Sequence, residues 1–349
     1  MRLIEKVWFT QHQAKWLLVP LLLPLSALFY MLTACRRLLF NLGVKESISV
    51  DAPVIVVGNI GVGGNGKTPV VIYLIEMTRK LGLKPGVISR GYGGQAPYYP
   101  YLLNDEATPD IVGDEPVLIY KRCQVPVAVG SDRIASAQLL ITQGCDVIIS
   151  DDGLQHYRLE RALEFIIIDG KRLFGNGLLL PSGPLREGLW RLNTCDLVIF
   201  NGNPELKSLE KLTENLSVAH STMHLKAKTV HNLFTGEIVS LQDFVEKYPK
   251  INAVAGIGDP QRFFNTLLNE KLSLTTTKAF VDHHSFCLDD FSQFNDNIPL
   301  LMTEKDAVKC QGFAKEYWWF LPVETHFLEK GRNSLVQLLT KTLVSKTRE

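Results

Sequence analysis

The sequence predicts an α/β protein: a mainly parallel sheet flanked by helices, with a second, smaller α/β domain and a hydrophobic N-terminal helix. Three observations carry this expectation. Continuous Val/Ile-rich runs (PVIVV, DVIIS, EFIII, DLVIF) alternate with helix-length segments, the pattern of strands buried on both faces. From about residue 205 the texture changes, and a new strand–turn–helix series starts near Ala253. Residues 16–35 (WLLVPLLLPLSALFYMLTAC) form a 20-residue run without a charged side chain.

In order along the chain, that apolar run is as long as the hydrocarbon core of a bilayer requires. Arg36 and Arg37 follow it at once, and Lys15, Lys6 and Arg2 precede it, so flanking charge does not specify an orientation. It reads as a membrane-embedded or interfacial anchor; a buried helix and a secretory signal are the other readings, though no small-residue cleavage site is clear. After a linker at 43–52, PVIVV reads as a strand, 68–81 as a helix and 85–89 as a second strand, followed by a Gly/Tyr-rich loop over 91–100. A helix over 113–122, a strand over 125–129 and a helix over 131–143 come next. Strands over 146–150, 164–168 and 196–200 complete the first series. Paired strands over 224–236, a strand at 253–255, a helix over 260–268 and strands at 300–302 and 318–321 make the second domain.

Composition narrows the function classes. The 349 residues are 46% hydrophobic, enough for two cores. Lys plus Arg (37) balance Asp plus Glu (36), so charge gives no argument for a nucleic-acid partner. The six cysteines have no C-x-x-C or zinc spacing and read as reduced thiols.

The chemistry is concentrated in GNIGVGGNGKTP, residues 58–69. Gly61, Gly63 and Gly66 fit the dinucleotide pattern G-x-G-x-x-G, whereas Gly61, Gly66, Lys67 and Thr68 fit the P-loop pattern G-x-x-x-x-G-K-[ST]. A dinucleotide site wants an acid at the end of the next strand, and that strand ends in Ser89-Arg90. The P-loop reading is complete, so Gly61, Val62, Gly63, Gly64, Asn65, Gly66, Lys67 and Thr68 are expected to cradle the phosphates of ATP or GTP. The fold is then P-loop NTPase-like. Asp151 and Asp152 end a neighbouring buried strand, the place for a metal-binding acid, although Asp-Asp-Gly is also good turn chemistry. Gln155 and His156 are expected to face the same crevice. Asp114 and Glu115 in GDEP fit either a solvated helix start or a catalytic acid pair. His283 and His284 are the other proton-handling candidates, and Arg133 and Arg186 could clamp phosphate.

Taken together, GNIGVGGNGKTP, VISRGYGG, VGDEP, SDDGLQHYRL, LLLPSGPLREG, AGIGDPQRFF, DHHSF and MTEKDAVK resemble, in order, the motif series of the tetraacyldisaccharide 4'-kinases, the lipid A kinases of Gram-negative bacteria. The P-loop alone is not family-specific; SDDGLQH, GPLRE and MTEKDAVK in order are highly so. Gly61, where Thr is frequent, and Leu154, where Phe is frequent, are small departures. The resemblance implies transfer of the ATP γ-phosphate to the 4'-hydroxyl of an acylated glucosamine disaccharide 1-phosphate, with Mg²⁺, by a monomer on the cytoplasmic face of the inner membrane. It implies that Lys67 and Thr68 serve the phosphates and the metal, and that Thr68, Glu115, Asp151 and Asp152 supply the metal site. Asp114 would take or support the base role with His283 behind it, and Arg133, Gln155, His156 and Arg186 would meet substrate. The expected divisions are a membrane-associating helix over 1–42, a P-loop kinase core over 43–205, a smaller α/β domain over 206–335 and a C-terminal tail or helix over 336–349. A membrane-anchored NTPase switch is the rival reading; a dehydrogenase is a distant third.

Overall fold

The computed structural model describes residues 3–205, 210, 214 and 216–346. The boundary expected at 205/206 falls against residues 206–209, which lie outside that set, as do 347–349 of the expected C-terminal tail. The chain forms two compact units: Met1–Ser89 with Asp132–His224 and His326–Glu349, and Arg90–Ser131 with Leu225–Thr325. Segment 90–131 therefore belongs with the C-terminal half, although sequence order places it inside the P-loop series.

In the first unit, strands are ordered Ala219–Lys226, Leu197–Asn201, Leu163–Asp169, Val54–Gly58, Val147–Asp151 and Pro85–Ser89. All adjacent pairs are parallel. The five strands from Leu163–Asp169 through Pro85–Ser89 and Leu197–Asn201 are buried along their whole length, which is why apolar residues dominate each of them. Burying each Val or Ile contributes about 1.5–3 kcal/mol, so this sheet is a stiff platform. The P-loop strand is central, and Val57 lies opposite Asp151 at the carboxyl ends. Helix Lys67–Lys80 packs Val70, Val71, Leu74 and Ile75, all fully buried, onto the sheet.

Helix Lys15–Asn41 extends the apolar run beyond its predicted end, despite Pro20 and Pro24. Its most apolar 18-residue window has mean hydropathy 2.0 and is only 6% buried, which removes the buried-core reading. Ser26 is the helix's buried residue; its hydroxyl donates to Leu179 O (3.0 Å) and lies 2.8 Å from Ser182 Oγ.

The second unit holds a six-stranded sheet ordered Ile238–Ser240, Thr229–Asn232, Trp318–Leu321, Leu300–Thr303, Lys250–Ala255 and Ser273–Ala279. The last four are mutually parallel, and the first two join antiparallel. The paired strands expected over 224–236 are corrected: the hairpin pairs Thr229–Asn232 with Ile238–Ser240, while residues 219–223 run parallel to Leu197–Asn201. Edge strand Ser273–Ala279 (SLTTTKA) escaped the sequence reading because an edge strand exposes alternate residues and needs no apolar run.

Candidate functional site

The first cluster lies at the carboxyl end of the P-loop strand. Gly66, at φ 89°, ends the loop in a left-handed conformation, and any Cβ there would strike the Asn201 amide. That amide donates to Asn65 O (3.1 Å), and Val62 N donates to Pro184 O (2.9 Å), so loop 61–66 is held from both sides. Gly63 is also left-handed (φ 110°), leaving backbone N–H groups to turn inward ahead of helix Lys67–Lys80. Gly58 admits the next loop: a Cβ there would lie 2.6 Å from Leu154 Cβ.

Lys67 Nζ stands 3.7 Å from Asp152 Oδ1, and Arg186 Nη1 donates to Asp152 Oδ2 at 3.1 Å. Burial would raise the Asp152 carboxyl, but Lys67, Arg186 and Arg133 outweigh it and hold the group below its ordinary value. Asp152 adopts φ 50°, a left-handed conformation that Asp tolerates. Asp151, one residue earlier, is only 1% exposed, and its carbonyl accepts from the buried Arg133 (3.1 Å). The structure therefore gives the adjacent acids different surroundings: Asp152 is reachable and flanked by cations, Asp151 interior. Gln155 turns inward, donating to Asn59 O (3.1 Å) and Glu187 Oε2 (3.2 Å); Tyr157 donates to the same Glu187. His156 is pushed down to about 4, first by burial and then by Arg133, Arg161 and Arg36, so its ring is neutral.

The second cluster is built at the start of helix Asp114–Cys123. Gly113, at φ 88°, is required there, because a Cβ would lie 2.6 Å from Tyr92 O. Asp114 is 5% exposed, and its carboxylate accepts from His283 Nδ1 at 3.0 Å. Burial would raise this carboxyl; the His283 hydrogen bond and the charge of Lys305 prevail and lower it. His283 is raised in turn, chiefly by the bond to Asp114. Its backbone is left-handed (φ 60°), which presents the ring to Asp114 and sets it 5.2 Å from the Tyr92 ring. His284 faces elsewhere, bonded to Asp290 (2.8 Å) and stacked on Phe280 at 4.5 Å. Geometry thus gives the two histidines different partners.

Lys305, in MTEKDAVK, was assigned no role from sequence. Its Nζ lies 3.1 Å from Glu115, 3.3 Å from Asp282 and 3.8 Å from Asp114. Burial disfavours its charge, but Glu115, Asp114 and Asp282 raise it, so it remains a cation. One signal was available: a lysine in the first turn of helix Glu304–Cys310 opposes the helix dipole, which suggests a partner elsewhere. Glu115 accepts from Lys305 (3.1 Å).

A strand–P-loop–helix cluster with a cation-flanked acid, and a buried Asp–His pair, are the parts of a phosphotransferase acting on a hydroxyl. A family model described as LpxK, tetraacyldisaccharide-1-P 4'-kinase, matches residues 18–343. The chain belongs to the tetraacyldisaccharide 4'-kinase family. Its activity is that of a tetraacyldisaccharide 4'-kinase in lipid A biosynthesis. The tetraacyldisaccharide 4'-kinase of Colwellia psychrerythraea is 62% identical over 336 residues, spanning 96% of each chain. That of Histophilus somni is 46% identical, over 97% of this chain and 99% of its own. A crystal structure of the Aquifex aeolicus family member in complex with ATP is similar at 27% identity and TM-score 0.78, covering 94% of this chain and all of that one.

Proposed function

We propose that the chain transfers the γ-phosphate of ATP to the 4'-hydroxyl of an acylated glucosamine disaccharide 1-phosphate, acting as a monomer at the cytoplasmic face of the inner membrane. The observation that carries this reading is the Asp114–His283 pair at 3.0 Å: a buried, ionised carboxylate bonded to an imidazole suits proton removal from a sugar hydroxyl. A nucleotide switch has no need of one.

In this reading, loop residues Gly61, Val62, Gly63, Gly64, Asn65 and Gly66 receive the phosphates through backbone N–H groups, and Lys67 meets the terminal ones. Arg186 and Arg133 add positive charge beside the transferring group, and Gln155 holds the loop that carries Asp152. Asp114 accepts the hydroxyl proton, His283 shares the charge, and Lys305 keeps the carboxylate ionised.

The donor set suits Mg²⁺. Asp152 (32% side-chain exposure), Asp151 and the Thr68 hydroxyl are hard oxygen ligands, and among the described residues no His/Cys/Asp/Glu group forms a complete cage. Mg²⁺ commonly takes one or two carboxylates and fills its shell with phosphate and water. We assign it to Thr68 and Asp152, with Asp151 behind them and Glu115 in a supporting role. When bound, it neutralises charge on the β- and γ-phosphate oxygens.

Label from γ-labelled ATP should appear on the 4' position of the acylated disaccharide 1-phosphate when enzyme and Mg²⁺ are present in detergent. Label released only as free phosphate would replace the kinase reading with the switch. Removal of residues 1–42 should move the protein from the membrane pellet to the supernatant; a truncated chain that still pellets would mean that the helix is not the anchor.

A further inference from the structure

Beside the C-terminal end of the apolar helix, within the first unit, lies an open groove of about 620 Å³. Arg36, Lys45, Arg158 and His156 line it, against a single acid, Glu46. Nothing in the phosphate-transfer chemistry uses Arg36, Lys45 or Arg158.

The walls are tied together. Ile48 N donates to Arg158 O (2.7 Å), Glu160 N donates to Ile48 O (2.9 Å), and the Ser47 hydroxyl donates to Tyr157 O (2.8 Å). Phe40 and Tyr157 rings pack 5.9 Å apart. The linker after the helix is therefore a fixed edge of the same loop that carries Asp152 and Gln155. Arg158 is held only loosely, 4.0 Å from Asp132 and 56% exposed, so its guanidinium can turn to a ligand. His156 also lines the groove, with its Nε2 enclosed by protein.

We propose that this groove is a binding site for a lipid-borne phosphate group, filled by the phosphate of the acceptor that is not being made. The proposal rests on the kinase reading for the acceptor's identity, but not for the ligand chemistry. Two guanidinium forks and an ammonium match a phosphate monoester, which accepts several charge-assisted hydrogen bonds at once. The groove's place, where an exposed apolar helix of mean hydropathy 2.0 ends, puts it at the depth of lipid headgroups.

The test uses the full-length protein and the double variant Lys45→Ala/Arg158→Ala. Kinetics are measured in detergent with the acylated disaccharide 1-phosphate and with the same lipid lacking its 1-phosphate. Binding is measured to phosphatidylcholine vesicles with and without phosphatidylglycerol. The expected result is a KM for the 1-phosphate lipid raised roughly tenfold or more, with no such rise for the dephosphorylated lipid. Weaker binding to phosphatidylglycerol vesicles with unchanged KM would keep the phosphate site and assign it to bilayer headgroups. No change in either arm overturns the proposal. If wild-type protein phosphorylates neither lipid, the kinase reading fails while the vesicle arm still decides the groove. ATP affinity reports folding of the double variant; should it be lost, Arg36→Gln, an exposed single change, repeats both arms.

Discussion

Alanine at position 114 is expected to lower turnover by about 10²–10⁴-fold, the usual contribution of a positioned base, while ATP affinity is retained. The reasoning starts from burial: Asp114 is 5% exposed yet held ionised by His283 and Lys305, so its cost is offset by two dedicated partners. Asp114→Asn keeps the shape and removes the charge, and so separates chemistry from packing. Single-turnover rates beside ATP binding are the measurement; near-normal turnover in both variants would remove Asp114 from the base role. The pH dependence has a definite sign. His283 is raised above its ordinary 6.5, and while protonated it withholds basicity from Asp114. Activity should therefore fall as pH drops through a value above 6.5, and rise to a plateau beyond it. In His283→Ala that acid limb should move down toward the carboxylate range, since Asp114 then titrates beside Lys305 without the imidazole. An acid limb left in place would show that the pair does not set it.

Lys67→Ala is expected to cost at least ~10²-fold in turnover, near 3 kcal/mol of barrier, because phosphoryl transfer gains most from placement and charge neutralisation. Lys67 is also the cation nearest Asp152 Oδ1, at 3.7 Å. Its loss leaves Arg186 as the close partner of that acid, so Asp152 should titrate higher in the variant. Lys67→Arg should rescue little, since a planar fork cannot replace a compact ammonium inside a glycine loop. Steady-state rates with the lipid acceptor decide the matter; less than a fivefold loss (well under 1.4 kcal/mol) would contradict the phosphate role.

Much of the first cluster was legible because it is local. Glycines, Lys67 and Thr68 must be contiguous to wrap a phosphate, and Asp151–Asp152 must follow a buried strand directly. Sequence spacing records both. The buried strands were legible for the same reason, since a parallel strand covered on both faces cannot avoid an apolar run. Strand Ser273–Ala279 and the regrouping of Ala219–Lys226 were not, because edge exposure and partner choice leave no mark on local periodicity.

By itself, then, the sequence determined an α/β architecture, a nucleotide loop, a membrane-length apolar helix and, through its motif series, the family. Tertiary structure alone decided that segment 90–131 packs with 225–325, which brings Asp114 to His283 across 169 positions of chain. It also decided that His284 serves Phe280 and Asp290, that Lys305 holds three acids, and that Asp151 is interior while Asp152 is reachable. The physical reason is common to all of these. A residue's type limits the charge it can carry, but its protonation state and partner depend on burial and on groups brought close by folding, which no spacing along one chain encodes.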